Sequence, residues 1–449
     1  MGFYRDVPKP HCWPPPDNAT GAKALFMYAK SRDPKGDLTH CIFASLFLFC
    51  LPLDSAPASI SLAILSIVSF IRLKFTWRTY ALFCRSKTVF ALFTWSIWMT
   101  ISILWSTDKD MGFDHASSLW IMAIPTFLLI WPIIERWTPL LVSFLLGVAL
   151  QNCLQLSEVL FSFMNHGIDW ITGKEIYRPS GLTNHPGNAS IYFAIATIIL
   201  LAVTFTKTRF KLYSCMALGL SVFGIVATQS RAAGLGFVCG LIYMCLDLLL
   251  KKTGISMKHI SIVIAAITVL VTVTAMSNPS VVTRVAEIPR SIEKFSEGKI
   301  TGGIARRMYW WSNLTNKSFE KPAMKNLIAG HGLGSTRDVH FGNNKLSKSI
   351  NNPSHPHNLI VQLLYETGLI GLGLFIILIG VVLKTINEHK EHVIACIACK
   401  ACLITWLVTA IFDGGQNSGR VLALLMLVVL FAVSRQILSI PTKNASAST

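Results

Sequence analysis

The sequence predicts an all-α polytopic membrane protein with about twelve transmembrane helices. Long, nearly uncharged runs recur along it, among them CIFASLFLFCLPL, TVFALFTWSIWMTISILW, ASIYFAIATIILLAVTF and VLALLMLVVLFAV. Such runs fit helices of the roughly 20 apolar residues that a bilayer crossing needs. Lysine and arginine gather in alternate connections between them. With 52% of the 449 residues hydrophobic and 14% charged, a soluble fold has no core large enough to take them all.

The formal charge of +18 suits either nucleic acid or a membrane, and its distribution decides for the membrane and against nucleic acid. Arg5, Lys9, Lys23, Lys30, Arg32 and Lys35 precede the first run; Arg72, Lys74, Arg78, Arg85 and Lys87 follow the second. Further groups are Lys207, Arg209 and Lys211, then Lys251, Lys252 and Lys258, then Arg435 and Lys443. The positive-inside rule places these connections, and both termini, in the cytoplasm.

The elements follow in order. Residues 1–39 form a Pro-rich, polar cytoplasmic segment without the apolar core of a cleavable signal peptide. Spans one to nine occupy 40–276, centred near residues 46, 65, 97, 126, 150, 198, 220, 241 and 268; the second, ASISLAILSIVSFI, is short. Residues 277–356 are the one long connection, on the opposite, periplasmic face, and long translocated loops are exempt from the charge bias. Spans ten to twelve, near 370, 402 and 427, fill 357–438, and 439–449 is a cytoplasmic tail. Of eleven cysteines, all but Cys12 lie in or beside spans. Cys396, Cys399 and Cys402 have an iron–sulfur-like spacing, but in an apolar run small polarizable side chains also pack well.

Polar residues near the membrane boundary carry the functional signal, because hydrocarbon penalises them. The stretch 177–192, YRPSGLTNHPGNASIY, is a turn-rich helix entry in which Arg178 meets either a ligand or lipid headgroups. Arg231, in a very short turn, needs an anionic partner, an aqueous cavity or lipid phosphate; Gly234 and Gly236 beside it permit close helix approach. Residues 302–322 read as an amphipathic helix. Its Tyr309, Trp310 and Trp311 rest on the interface or stack on sugars, and Arg306 and Arg307 grip phosphate or anionic lipid. In SHPHNLIVQLLYETGLIGLG, Pro356 suits a first helical turn with Ser354 or His355 as cap, which puts His357 at a helix start. There it is either a neutral base or a satisfied structural residue. Asp108 and Asp110 form an oxygen pair suited to Mg²⁺, whereas His331, Asp338, His340, His355 and His357 match no compact zinc spacing.

His357 and Asn358, nine residues, Gly368 and then Gly371 fit the pattern H-[NSQ]-x9-G-x-x-[GTY]. With the SR turn at Ser230 and Arg231, an R-x-x-x-W in the long loop and the GHGLG turn at 330–334, residues 170–375 resemble the bacterial O-antigen ligase and polymerase family. The resemblance implies a GT-C-like inner-membrane glycosyltransferase, active on the periplasmic face. It would move O-antigen from undecaprenyl pyrophosphate to a hydroxyl of lipid A core oligosaccharide, by single displacement with inversion, without metal or other cofactor. Carried over, the catalytic residues are His357 as general base with Arg231 and Arg306, Arg307 being the competing alignment. Arg307, Arg178, Asn358, Trp310 and Trp311 complete the expected substrate contacts, and Gly368 and Gly371 read as packing notches. O-antigen polymerase and protein O-oligosaccharyltransferase are the neighbouring readings, and a lipid-linked glycan transporter is the non-enzymatic one.

Overall fold

The computed structural model describes residues 22–130, 136–161, 166–168, 175–177, 179–183, 185–206, 211–251, 253, 255–277, 279–298, 300, 303–319, 324–338, 356–388, 393–413 and 419–438. They form a helical bundle. In chain order the helices are α1 (Ala22–Arg32), α2 (Pro34–Cys50), α3 (Ser55–Phe83), α4 (Lys87–Ile101), α5 (Lys109–Ile130), α6 (Trp137–Phe161), α7 (Pro186–Thr204) and α8 (Lys211–Ala227). Then come α9 (Arg231–Leu250), α10 (Met257–Ser277), α11 (Pro279–Ser296), α12 (Gly303–Phe319), α13 (Met324–Ala329), α14 (Leu359–Asn387), α15 (Val393–Asp413) and α16 (Gly419–Leu438). One antiparallel ribbon, β1 (His166–Ile168) with β2 (Glu175–Tyr177), interrupts the helical pattern between α6 and α7.

A helix lies at each of the twelve expected centres. Seven, α3, α4, α6, α7, α9, α14 and α15, contain segments long and apolar enough to cross a membrane, and α8, α10 and α16 contain shorter apolar segments. Large apolar side chains such as Phe70, Phe90 and Leu250 stand exposed on the outside, as expected where hydrocarbon replaces water. The second span is longer than expected: α3 runs through Arg72, Lys74 and Arg78. Arg72 can stay within the helix because it is buried against Asp33 and Asp37, with its Nη1 2.9 Å from His40 Nδ1.

α7 is the central post, buried along most of its length. α9 and α15 lie against each other and bury small residues at their contact. A Cβ on Gly236 would come 2.3 Å from Thr409 Oγ1, and one on Gly240 would come 2.1 Å from Thr405 Oγ1. Gly234, by contrast, faces open space. Because 236 pairs with 409 and 240 with 405, the helices are antiparallel, and one more turn brings the start of α9 beside the end of α15. At the far end of the same helices Lys400 is buried, with Nζ 3.1 Å from Asp247 Oδ2 and 2.8 Å from Asn387 Oδ1.

α14 breaks at Gly368, whose φ of 67° and ψ of −168° are not helical. The carbonyls released just before the break are taken by other segments. Tyr365 O accepts from His331 N at 2.8 Å, Glu366 O from Gly332 N at 2.8 Å and Thr367 O from Trp98 Nε1 at 3.0 Å. Gly368 is therefore a break and not merely a notch; a Cβ there would lie 2.3 Å from Ile328 O. Gly371 does behave as a notch, packed against Thr367 and Trp98.

Candidate functional site

Five helix ends converge where α9 begins and α15 stops. The start of α14 sets the first residue. Asn358 is its N-cap, with Oδ1 accepting from Val361 N at 3.0 Å, so the helix opens later than Pro356 and His357 lies outside it. His357 adopts φ 53°, a left-handed conformation that a histidine in the first turn could not have. A non-glycine residue held there stores strain, commonly at functional sites. Trp311 Nε1 donates to Pro356 O at 2.8 Å, and Trp310 stacks on the His357 ring at 6.1 Å and 20°. α12 seats these indoles on α14 through a small core of Trp310, Leu314 and Tyr365.

Asp413, the last residue of α15, ties the cluster together. Its Oδ1 is 2.9 Å from Arg307 Nη2 and 3.4 Å from His357 Nδ1, while Arg307 Nη1 donates to Phe412 O at 2.7 Å. Its other oxygen faces the first turn of α7, since a Cβ on Gly187 would lie 3.1 Å from Oδ2. The positive end of that helix's dipole favours a carboxylate. His185 caps the same helix, its Nδ1 accepting from Gly187 N at 3.1 Å. Gln151, Gln155 and Glu158 of α6 anchor the segment before it, bonding Ser180 O, Pro179 O and Ser180 N.

The two arginines that competed in the loop divide by environment. Arg307 is committed to Asp413 and Phe412, whereas Arg306 has a buried Nε without a hydrogen-bond partner. Arg231, at the start of α9, reaches the same helix start: a Cβ on Gly303 would lie 3.7 Å from its Nη2. Gly303 is three residues before Arg306, on one helix face. Arg231, Arg306, Arg307, Trp310, Trp311, His357 and Asn358 thus share one end of the bundle. Arg178 and His355 lie outside the described residues.

The proposed oxygen pair is not assembled toward this place. Asp108 Oδ1 accepts from Met111 N at 2.9 Å as a cap on α5, Oδ2 is 3.8 Å from Arg337, and Asp110 is exposed. Among the described residues no group of three or more His, Cys, Asp or Glu side chains is placed to hold a metal. His331 stacks on Tyr365 at 4.2 Å, and burial pushes its imidazole below its ordinary pKa. Cys396, Cys399 and Cys402 are buried among apolar neighbours.

Chemically, a proton on Nδ1 of His357 directed at Asp413 leaves Nε2 as a lone-pair acceptor. Beside it stand guanidinium groups and helix N-termini, which stabilise developing phosphate charge.

Residues 216–376 match the family model described as O-antigen ligase, a range that holds Arg231, α12, His357 and Gly368. Among curated proteins, one described as a polysaccharide ligase of Rickettsia conorii is 28% identical over 224 residues, 49% of this chain and 49% of its own. A counterpart in Rickettsia felis is 29% identical over 208 residues, 45% and 46%, and one in Rickettsia bellii is 38% identical over 84 residues, 19% and 21%. The chain spans about half the length of the curated relatives it matches.

Proposed function

The chain belongs to the O-antigen ligase family through residues 216–376, and from that premise we propose that it is an O-antigen ligase. In this reading it transfers O-antigen polysaccharide from undecaprenyl pyrophosphate to a hydroxyl of lipid A core oligosaccharide. It does so on the periplasmic side of a bacterial inner membrane, from a GT-C-like fold with twelve crossings and both termini cytoplasmic.

The observation that carries the reading is Asp413 holding His357 and Arg307 together. In the reaction the acceptor oxygen forms a bond to the anomeric carbon while the bond from that carbon to the phosphate oxygen breaks. The hydroxyl proton passes to Nε2 of His357, and the pyrophosphate leaves with the bonding electrons. Asp413 keeps the imidazole in the accepting tautomer and stabilises its charged form. Arg231 and Arg306, with the first turn of α9, neutralise the leaving group and supply the charge that a metal ion supplies in other transferases. Arg307 positions Asp413. A single displacement of this kind inverts the anomeric centre.

The test is reconstitution with purified lipid-linked donor and three acceptors: core lipid, lipid-linked repeat unit and a pilin-like protein. Modification of core lipid alone is expected. Extension of the repeat unit in its place would make the chain a polymerase, and glycosylated pilin a protein O-oligosaccharyltransferase. Movement of donor across the membrane without transfer to any acceptor would make it a transporter.

A further inference from the structure

One apolar cavity has no part in that chemistry. It lies between α2, α6, α7, α15 and α16, has a volume of about 270 Å³, and of its nineteen lining residues only Thr206, with its hydroxyl, and Trp137, with its indole N–H, carry polar side-chain atoms besides the thiols of Cys399 and Cys402. Its lining comes from Leu48 of α2, the first turns of α6 (Trp137 to Phe144), the second half of α7, the first half of α15 and the middle of α16. These parts lie away from Asp413. Cys402, the lining residue of α15 closest to Asp413, is eleven residues from it, or about 16 Å along a helix.

The cavity is a dead end toward the candidate site. There Trp406 and Tyr192 are fully buried, and Trp406 Nε1 donates to Val421 O at 2.9 Å, bridging α15 to α16. At the other end Trp137, Val203, Ile394 and Ala395 are only partly buried and Thr206 is exposed. The slot therefore opens at the end of the bundle opposite the candidate site. Both polar groups, Thr206 and the Trp137 indole, sit at the mouth, so the interior offers water no partners and stays dry; a hydrocarbon chain fills it with dispersion contacts.

We propose that this slot binds one acyl chain of a membrane phospholipid, taken from the leaflet opposite the candidate site. A polyprenyl tail whose pyrophosphate sits among Arg231, Arg306 and His357 would approach from the closed end, so the phospholipid is the occupant that the geometry admits.

The full chain in nanodiscs is photolabelled with a phospholipid carrying a diazirine near its acyl terminus, and labelled peptides are read by mass spectrometry. Label is expected on α15 between Ile394 and Cys402 and on α7 between Ile199 and Val203. Ala398→Trp, which fills the slot, should lower it at least fivefold. Ala395→Phe at the mouth gives the same test should Ala398→Trp fail to fold, and both variants should keep wild-type glycan transfer. Equal labelling of wild type and filled variants overturns the proposal, as does label confined to the outside of the bundle. A polyprenyl phosphate diazirine that labels these peptides while the phospholipid does not overturns the identity of the occupant.

Discussion

Asp413 Oδ1 lies 3.4 Å from His357 Nδ1, joining the end of one apolar helix to the residue just before the cap of another. Nδ1 lies at the same 3.4 Å from the main-chain O of Asp413, so the carbonyl and the carboxylate of this residue face the imidazole together, and only the carboxylate carries charge. Asp413→Asn keeps the shape and removes the charge, so transfer is expected to fall by about 10²- to 10⁴-fold while the protein inserts normally. Single-turnover kinetics in liposomes check this; an activity within twofold of wild type would remove Asp413 from the mechanism.

His357 has two separable properties, its ring and its backbone. His357→Ala should abolish transfer. His357→Gly should abolish it as well, yet keep or raise stability by up to about 1 kcal/mol, because glycine adopts φ 53° without strain. Thermal unfolding in detergent, read beside the transfer assay, shows whether the strain is real.

Gly368→Ala should cost more than about 2 kcal/mol, since it adds a Cβ at φ 67° against Ile328 O. Gly373→Ala, where a Cβ meets nothing within 4 Å, should be neutral or slightly stabilising. Equal unfolding temperatures for the two variants would contradict the break.

His331 supplies a pH dependence. Burial lowers its pKa in the folded state, so the unfolded chain binds the proton more readily. Its contribution to stability is full above the ordinary value near 6.5 and is lost as pH falls through it. Wild type should therefore lose more stability between pH 7 and 5 than His331→Gln does, measured by unfolding at each pH. The opposite ordering would reverse the sign.

The proposed reaction also draws on arginines and not on a metal. Transfer should survive EDTA unchanged; loss in EDTA with recovery in Mg²⁺ would redirect attention to Asp108 and Asp110.

Part of the candidate site was legible because the spacing of the motif singles out residues before their surroundings are known. His357, Arg231 and the doubled arginine were named from sequence, and all lie at one end of the bundle. Asp413 was not, since AIFDGG carries no pattern and its partners lie 106 and 56 residues away in sequence. An acidic residue closing an apolar run was the signal available, as was a lysine inside one for Lys400. The choice between Arg306 and Arg307 depends on which side chain faces Asp413, a matter of helix rotation that no spacing encodes. The opening of α14 was misread because proline at a first turn is only a tendency, whereas Asn358 makes the cap. Gly368 showed its need for space in the sequence but not its φ.

The break at Gly368 also separates two mechanical jobs. A helix running unbroken through the bilayer would pass every change of tilt, and so every change in membrane thickness, to the residue at its tip. Here the short strut from Leu359 to Thr367 is secured by His331, Gly332 and Trp98. His357 is thus referenced to the turn at His331 and Gly332 and to Trp98 of α4, and a change of tilt in the part of α14 beyond the break need not reach it.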